Sequence, residues 1–135
     1  MAEGASNPGN AGVVGIGTDL VDVDRFRTVL RRRPSVADRL FTPHERTYAH
    51  RAVDPAARLA ARFAAKEAAL KALGYGLGGM RMAEIEVVRD DDGRPELVLH
   101  GQARSTAAGH GVSRWLVSLS HTDHLAQATV VALAR

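Results

Sequence analysis

Cysteine is absent from the 135-residue chain, so neither disulfides nor thiolate metal sites can hold it together. A reducing cytoplasm is compatible with that composition. Aromatic residues are scarce, at one Trp, two Tyr and three Phe. They are not interleaved with the basic residues, which leaves no stacking platform for nucleic acid. No apolar run approaches the length needed to span a membrane, and the N-terminus lacks the basic and apolar regions of a secretory signal. There is no Gly-x-Ser-x-Gly elbow, no lysine-serine P-loop ending, no complete dinucleotide-binding glycine fingerprint and no internal repeat.

What remains is the composition of one domain large enough for a real core. Its net charge of +3 favours an acidic partner or a phosphorylated ligand without choosing between them. Met1 to Gly12 is small and polar, and reads as a disordered N-terminal extension to a domain over residues 13–135.

The chain is organised around Arg58 to Leu73. Asp54 is a predicted N-cap, Pro55 suits the first helical position, and Gly74 suits the left-handed position after the end. Leu59, Phe63, Leu70 and Leu73 form one apolar stripe, and alanines fill most of the remaining circumference. Such a helix is expected to be buried, with its alanine face admitting a neighbouring backbone. Glu67 and Lys71 border the two faces and Lys66 lies within the stripe. As an i, i+4 pair, Glu67 and Lys71 could be surface decoration. The lack of a broad polar face favours charges lining a site.

Before this helix, Val13 to Asp19 reads as a short buried strand in which Gly15 and Gly17 allow close approach. Asp19 is positioned to cap the next helix, Leu20 to about Arg33, whose outer side and end carry Arg25, Arg27, Arg31, Arg32 and Arg33. Those arginines suit either the helix dipole or an acidic docking partner. Ser35 can cap a short helix, and Thr42 with Glu45 spells a capping box for another. Gly74 to Gly79 is a glycine-rich loop, either a connector or a phosphate cradle. Glu84–Arg89 and Glu96–His100 read as a hairpin, Gln102–Ala108 as a weak helix, and Arg114–Ser120 with Leu125–Leu133 as a second hairpin. The order predicts an α+β fold, a largely antiparallel sheet packed against a long central helix and shorter helices.

His121 and His124 have a spacing seen in metal ligands, but a hairpin turn gives that spacing little support. Asp19, Glu67, Lys66 and Lys71 form a more coherent set. Two hard carboxylates with lysines suit Mg²⁺ sharing a phosphate ligand, provided that the strand end and the helix meet. A non-catalytic basic module binding nucleic acid or another polyanion is the alternative, resting on the arginine cluster and the high isoelectric point.

Gly15-Ile-Gly-Thr-Asp19, with Arg25 six residues beyond, resembles the opening motif of the holo-acyl-carrier-protein synthases. Arg62-Phe-Ala-Ala-Lys-Glu-Ala68, continued by Lys71-Ala72, resembles their most specific motif. Val117-Ser-Leu-Ser-His121 resembles a third, and Thr42 to Arg46 a weaker region between the first two. The resemblance implies the 4′-phosphopantetheinyl transferase fold and a cytoplasmic, Mg²⁺-dependent transfer of 4′-phosphopantetheine from coenzyme A to a serine of an apo acyl carrier protein. Adenosine 3′,5′-bisphosphate is the other product. Carried over, Asp19 and Glu67 hold the metal and Lys71 faces the pyrophosphate, while Lys66 stabilises charge or positions the ligand. Ser120 and His121 lie near the nucleotide end, which the loop from Gly74 borders, and Arg25 receives an acidic helix of the carrier. The family's small members are homotrimers with sites between subunits, and neither nucleic acid nor membrane is an implied partner. The proton acceptor is left open between a water and a carboxylate. The N-terminal extension departs from the compact family pattern.

Overall fold

The central helix forms where its composition demands. In the computed structural model, which describes residues 12–75 and 79–135, helix α4 runs Ala56–Ala72. Asp54 acts at its start, its Oδ1 accepting the Ala56 amide at 3.0 Å, although regular helix begins one residue after Pro55. At the other end Gly74 adopts φ +83°. The Tyr75 and Gly74 amides donate back to the Leu70 and Lys71 carbonyls at 2.9 and 3.0 Å, closing the helix with a left-handed cap. Burial extends nearly all round it, as the alanine content requires.

Strand β1 (Val13–Asp22), helices α1 (Val23–Arg32), α2 (Ser35–Leu40) and α3 (Pro43–Ala49) precede α4. A one-turn 3₁₀ helix at Met82–Glu84, β2 (Ile85–Arg89), β3 (Pro95–Leu99), α5 (Gly101–Gly109), β4 (Arg114–His121) and β5 (Leu125–Leu133) follow. The α+β class holds, with one refinement. The strands form two antiparallel sheets, β1-β5-β4 and the hairpin β2-β3. The N-terminal extension up to residue 11 and the middle of the glycine-rich loop, residues 76–78, lie outside the described residues.

Strand β1 corrects the expected boundary. It continues three residues past Asp19, paired with β5 as far as Asp22 opposite Leu125. Asp22, not Asp19, caps α1 by accepting the Arg25 amide at 3.0 Å. Nor is β1 buried on both faces, because Ile16 and Leu20 point outward, 66% and 67% exposed. Ser35 is the first residue of α2 and makes no cap bond. The Thr42–Glu45 capping box is present in full.

Gly15 and Gly17 explain why helix and strand come together. A Cβ at either would overlap a carbonyl oxygen of α4, at Ala72 and Ala68 respectively. The strand therefore lies backbone to backbone on the alanine face. The inner side of the sheet, including Ala126, Ala128, Val130 and Ala132 of β5, closes over the rest of the helix.

Candidate active site

The glycine contacts fix where Asp19 comes to rest. Two residues beyond Gly17 on the same inner face, it meets the last turn of α4. The Lys71 ammonium donates to Asp19 Oδ1 at 2.9 Å and to the Thr18 carbonyl at 3.0 Å. Glu67, one turn earlier, is 8% exposed. Burial pushes its carboxyl above the usual carboxylate value, and the nearby negative charge of Asp19 pushes further, against the pull of Lys71. Two carboxylates thus stand near one ammonium that bonds only Asp19, which leaves net negative charge in a partly desolvated place.

That donor set fits a hard divalent cation. Among the described residues no cluster of three or more His, Cys, Asp or Glu exists. Two carboxylates alone suit Mg²⁺, which keeps several waters and takes ligand oxygens, better than a metal needing an all-protein cage.

An apolar groove of about 710 Å³ opens beside Asp19, lined by Phe26, Val29, Leu40, Phe63, Met80 and Met82. Arg25 is exposed at the same groove. Arg27, expected on the same basic surface, is instead committed to Asp24 and Asp54, each at 2.7 Å.

Lys66 is not brought to this cluster. Its ammonium points to the other side of α4, fully buried, and donates to Glu45 Oε1 at 2.8 Å, to the Met82 carbonyl at 3.0 Å and to the Ile85 carbonyl. Burial holds its pKa below the usual lysine value, with Glu45 opposing. The apolar stripe in which its position falls is closed by α3, the 3₁₀ turn and β2, and these supply the acceptors.

Ser120 and His121 lie elsewhere again, in a cavity of about 430 Å³ with Tyr48, Arg58, Arg62 and Arg89. The guanidinium carbons of Arg62 and Arg58 stand 4.3 and 4.7 Å from the centre of the Tyr48 ring. Arg62 is 2% exposed, and its buried Nε has no hydrogen-bond partner among the described residues. Burial lowers its pKa, and the positive Arg89 adds to that effect. Burial alone would raise the Tyr48 hydroxyl, yet Arg89, Arg58 and Arg62 bring it below the usual phenol value. The concentration of positive charge around one phenol gives this cavity the electrostatics that an anion would complement. Sequence reading gave these arginines no role; Arg58 and Arg62, four apart on a buried helix with no acidic residue at that spacing, were the available signal. His124 does not join His121 as a ligand pair. Its Nδ1 faces Asp24 Oδ2 at 3.1 Å and ties the β4–β5 turn to α1.

The family model described as the 4′-phosphopantetheinyl transferase superfamily matches residues 15–130, nearly the whole chain. The chain belongs to that superfamily. This transferase is 45% identical over 117 residues to the holo-[acyl-carrier-protein] synthase of Moorella thermoacetica, an alignment covering 87% of this chain and 90% of the relative. Among solved structures it resembles the holo-[acyl-carrier-protein] synthase of Neisseria meningitidis, with TM-score 0.80, 36% identity and coverage of 89% and 98% of the two chains. It also resembles the Bacillus anthracis synthase in complex with coenzyme A, with TM-score 0.77, 32% identity and coverage of 93% and 100%. The fold of the transferase is that of these synthases.

Proposed function

We propose that Asp19, Glu67 and Lys71 form the reactive centre of a holo-acyl-carrier-protein synthase. The reaction moves 4′-phosphopantetheine from coenzyme A to a serine hydroxyl of an apo acyl carrier protein and releases adenosine 3′,5′-bisphosphate. The observation that carries the assignment is the meeting of Asp19 with Lys71 at 2.9 Å, beside the buried Glu67, in a chain of this family.

The serine oxygen forms a bond to the phosphorus that bears the pantetheine arm, and its proton passes to a water or a carboxylate. The phosphorus–oxygen bond to the nucleotide half breaks, leaving the electron pair on the departing phosphate. Lys71, on an exposed stem, turns its ammonium to the pyrophosphate oxygens, where negative charge develops. Asp19 and Glu67 would hold Mg²⁺, which neutralises those oxygens when bound. Arg58, Arg62 and Arg89 attract the anionic nucleotide end, with Ser120 and His121 at the rim; Gly74, at the opposite end of α4, would reach it only from a neighbouring chain. The exposed Arg25 receives an acidic helix of the carrier beside the groove. The reading also includes a cytoplasmic setting. No helix among the described residues is long and apolar enough to cross a membrane.

Two features support a homotrimer with sites between subunits. Arg62 and Glu67 are five positions apart on α4, roughly 140° around its axis. The arginine cavity and the carboxylate centre of one chain therefore face away from one another, and a second chain can bring the missing half. The outer face of the three-stranded sheet is also uncovered and apolar at Ile16, Leu20, Leu116 and Leu125. An exposed apolar surface of this kind favours self-association.

Intact mass of apo acyl carrier proteins, after incubation with the protein, coenzyme A and Mg²⁺, tests the reading. Addition of one phosphopantetheine arm, lost with a chelator and with Glu67→Ala, is expected. A folded protein that modifies no carrier and binds no coenzyme A would overturn it. Salt-sensitive binding of polyanions without coenzyme A would then favour the basic-module alternative.

A further inference from the structure

We propose that Lys66 is a positioning residue: its buried ammonium sets the rotation of α4 and the wall of the groove, and it does not touch coenzyme A. The proposal rests on the reading of Glu67 as part of the transfer centre.

An ammonium has three protons to donate, and each of the three has an acceptor here: Glu45 Oε1, the Met82 carbonyl and the Ile85 carbonyl. Nothing remains for a phosphate. Glu45 is equally committed. Its Oε1 also accepts the Thr42 amide at 3.0 Å, and its Oε2 accepts the Val87 amide at 2.9 Å. Both side chains are fully buried. The knot therefore joins the start of α3, the middle of α4 and the chain entering β2.

Two consequences reach the site. Glu67 follows Lys66 by about 100° around the helix, so fixing the direction of one side chain fixes the other. Met82, whose carbonyl Lys66 holds, lines the groove beside Asp19 with Met80. The knot thus anchors the segment that returns from the glycine-rich loop to close that groove.

The chain has only two lysines, Lys66 and Lys71, so amine labelling separates the two cleanly. Amidination of the native protein followed by peptide mass spectrometry should modify Lys71 and spare Lys66 until the chain is denatured, with or without coenzyme A. Native Lys66 that reacts and is protected by coenzyme A would overturn the proposal. Kinetics supply the second arm. Lys66→Met, assayed below its melting transition, should lower kcat at least tenfold with the KM for coenzyme A unchanged. Adding Glu45→Gln should recover stability but not kcat, because the Met82 and Ile85 carbonyls stay unheld. An unaltered kcat in the folded single variant would make Lys66 merely structural. A KM for coenzyme A raised tenfold or more in the folded single variant would mean that the ammonium itself acts on the ligand. A wild-type protein that loads no carrier would instead defeat the functional reading, whatever the labelling shows.

Discussion

Two lysine–carboxylate pairs stand five residues apart on α4, and their chemistry is the same while their circumstances are opposite. Lys66 and Glu45 meet at 2.8 Å with both side chains fully buried. Lys71 and Asp19 meet at 2.9 Å with the lysine 53% and the aspartate 18% exposed. In the first pair backbone carbonyls complete the coordination of Lys66 and backbone amides that of Glu45, so the charges are matched and fixed. In the second, Glu67 adds a carboxylate that the single ammonium does not balance, and Lys71 can swing away at little cost. Distance alone does not separate a structural ion pair from a functional one. What separates them is whether every proton and lone pair is already committed.

Substitutions that break each pair should therefore fall in a definite order. Lys66→Met leaves a buried, uncompensated Glu45 and should cost about 3–5 kcal/mol, read by urea unfolding. Gly17→Ala should cost about 1–3 kcal/mol, because its Cβ would overlap the Ala68 carbonyl and push β1 off the helix. It should also lower carrier loading by ~100-fold, because a shift of about 1 Å at Asp19 spoils the centre. Lys71→Met should cost less than about 1 kcal/mol, screened as that pair is by solvent, while lowering kcat by ~100-fold. The smallest effect has the opposite sign. Glu67→Gln should raise the melting temperature of the metal-free protein at neutral pH by about 1–2 °C while abolishing transfer.

The pH dependence of that last gain follows from the raised pKa of Glu67. Between the unfolded value, about 4.3, and the higher folded value, the native state holds a proton that the unfolded chain has lost. Stability therefore falls as pH rises through that window, and the full cost is present above it. The advantage of Glu67→Gln should shrink as pH is lowered through the window and vanish below the unfolded value. An advantage independent of pH in calorimetric melts would mean that burial and Asp19 do not act on this carboxyl as described.

Much of this comparison was legible in the sequence. The ends of α4, its buried alanine face, the close approach at Gly15 and Gly17, and the Thr42 capping box all follow from local residue chemistry. The set Asp19, Glu67 and Lys71 was legible as a candidate because charges on a nearly apolar helix need a reason to be there. The misreadings share a cause. Asp19 resembled a helix cap because the pairing that keeps β1 extended to Asp22 comes from β5, about a hundred residues downstream. The burial of Lys66 away from Asp19 was not legible either, because its acceptors at Glu45, Met82 and Ile85 come from three separate segments. The arginine cavity was hidden likewise, since it gathers α3, α4, β2 and β4 around one tyrosine. Local chemistry announces local structure; partners distant in sequence announce nothing.

The proposed assembly, in which two half-sites on different sides of α4 meet between chains, has a genetic consequence. A chain carrying Glu67→Ala and a chain carrying Arg62→Ala would each fail as a pure population. Mixed and reassembled, they would create some junctions at which an intact carboxylate centre from one chain faces an intact arginine cavity from another. Two inactive alleles would then restore a fraction of each other's function, and dilution would silence even the native protein without unfolding it. A catalyst of the proposed kind would be inherited as a single gene but would work only as a group.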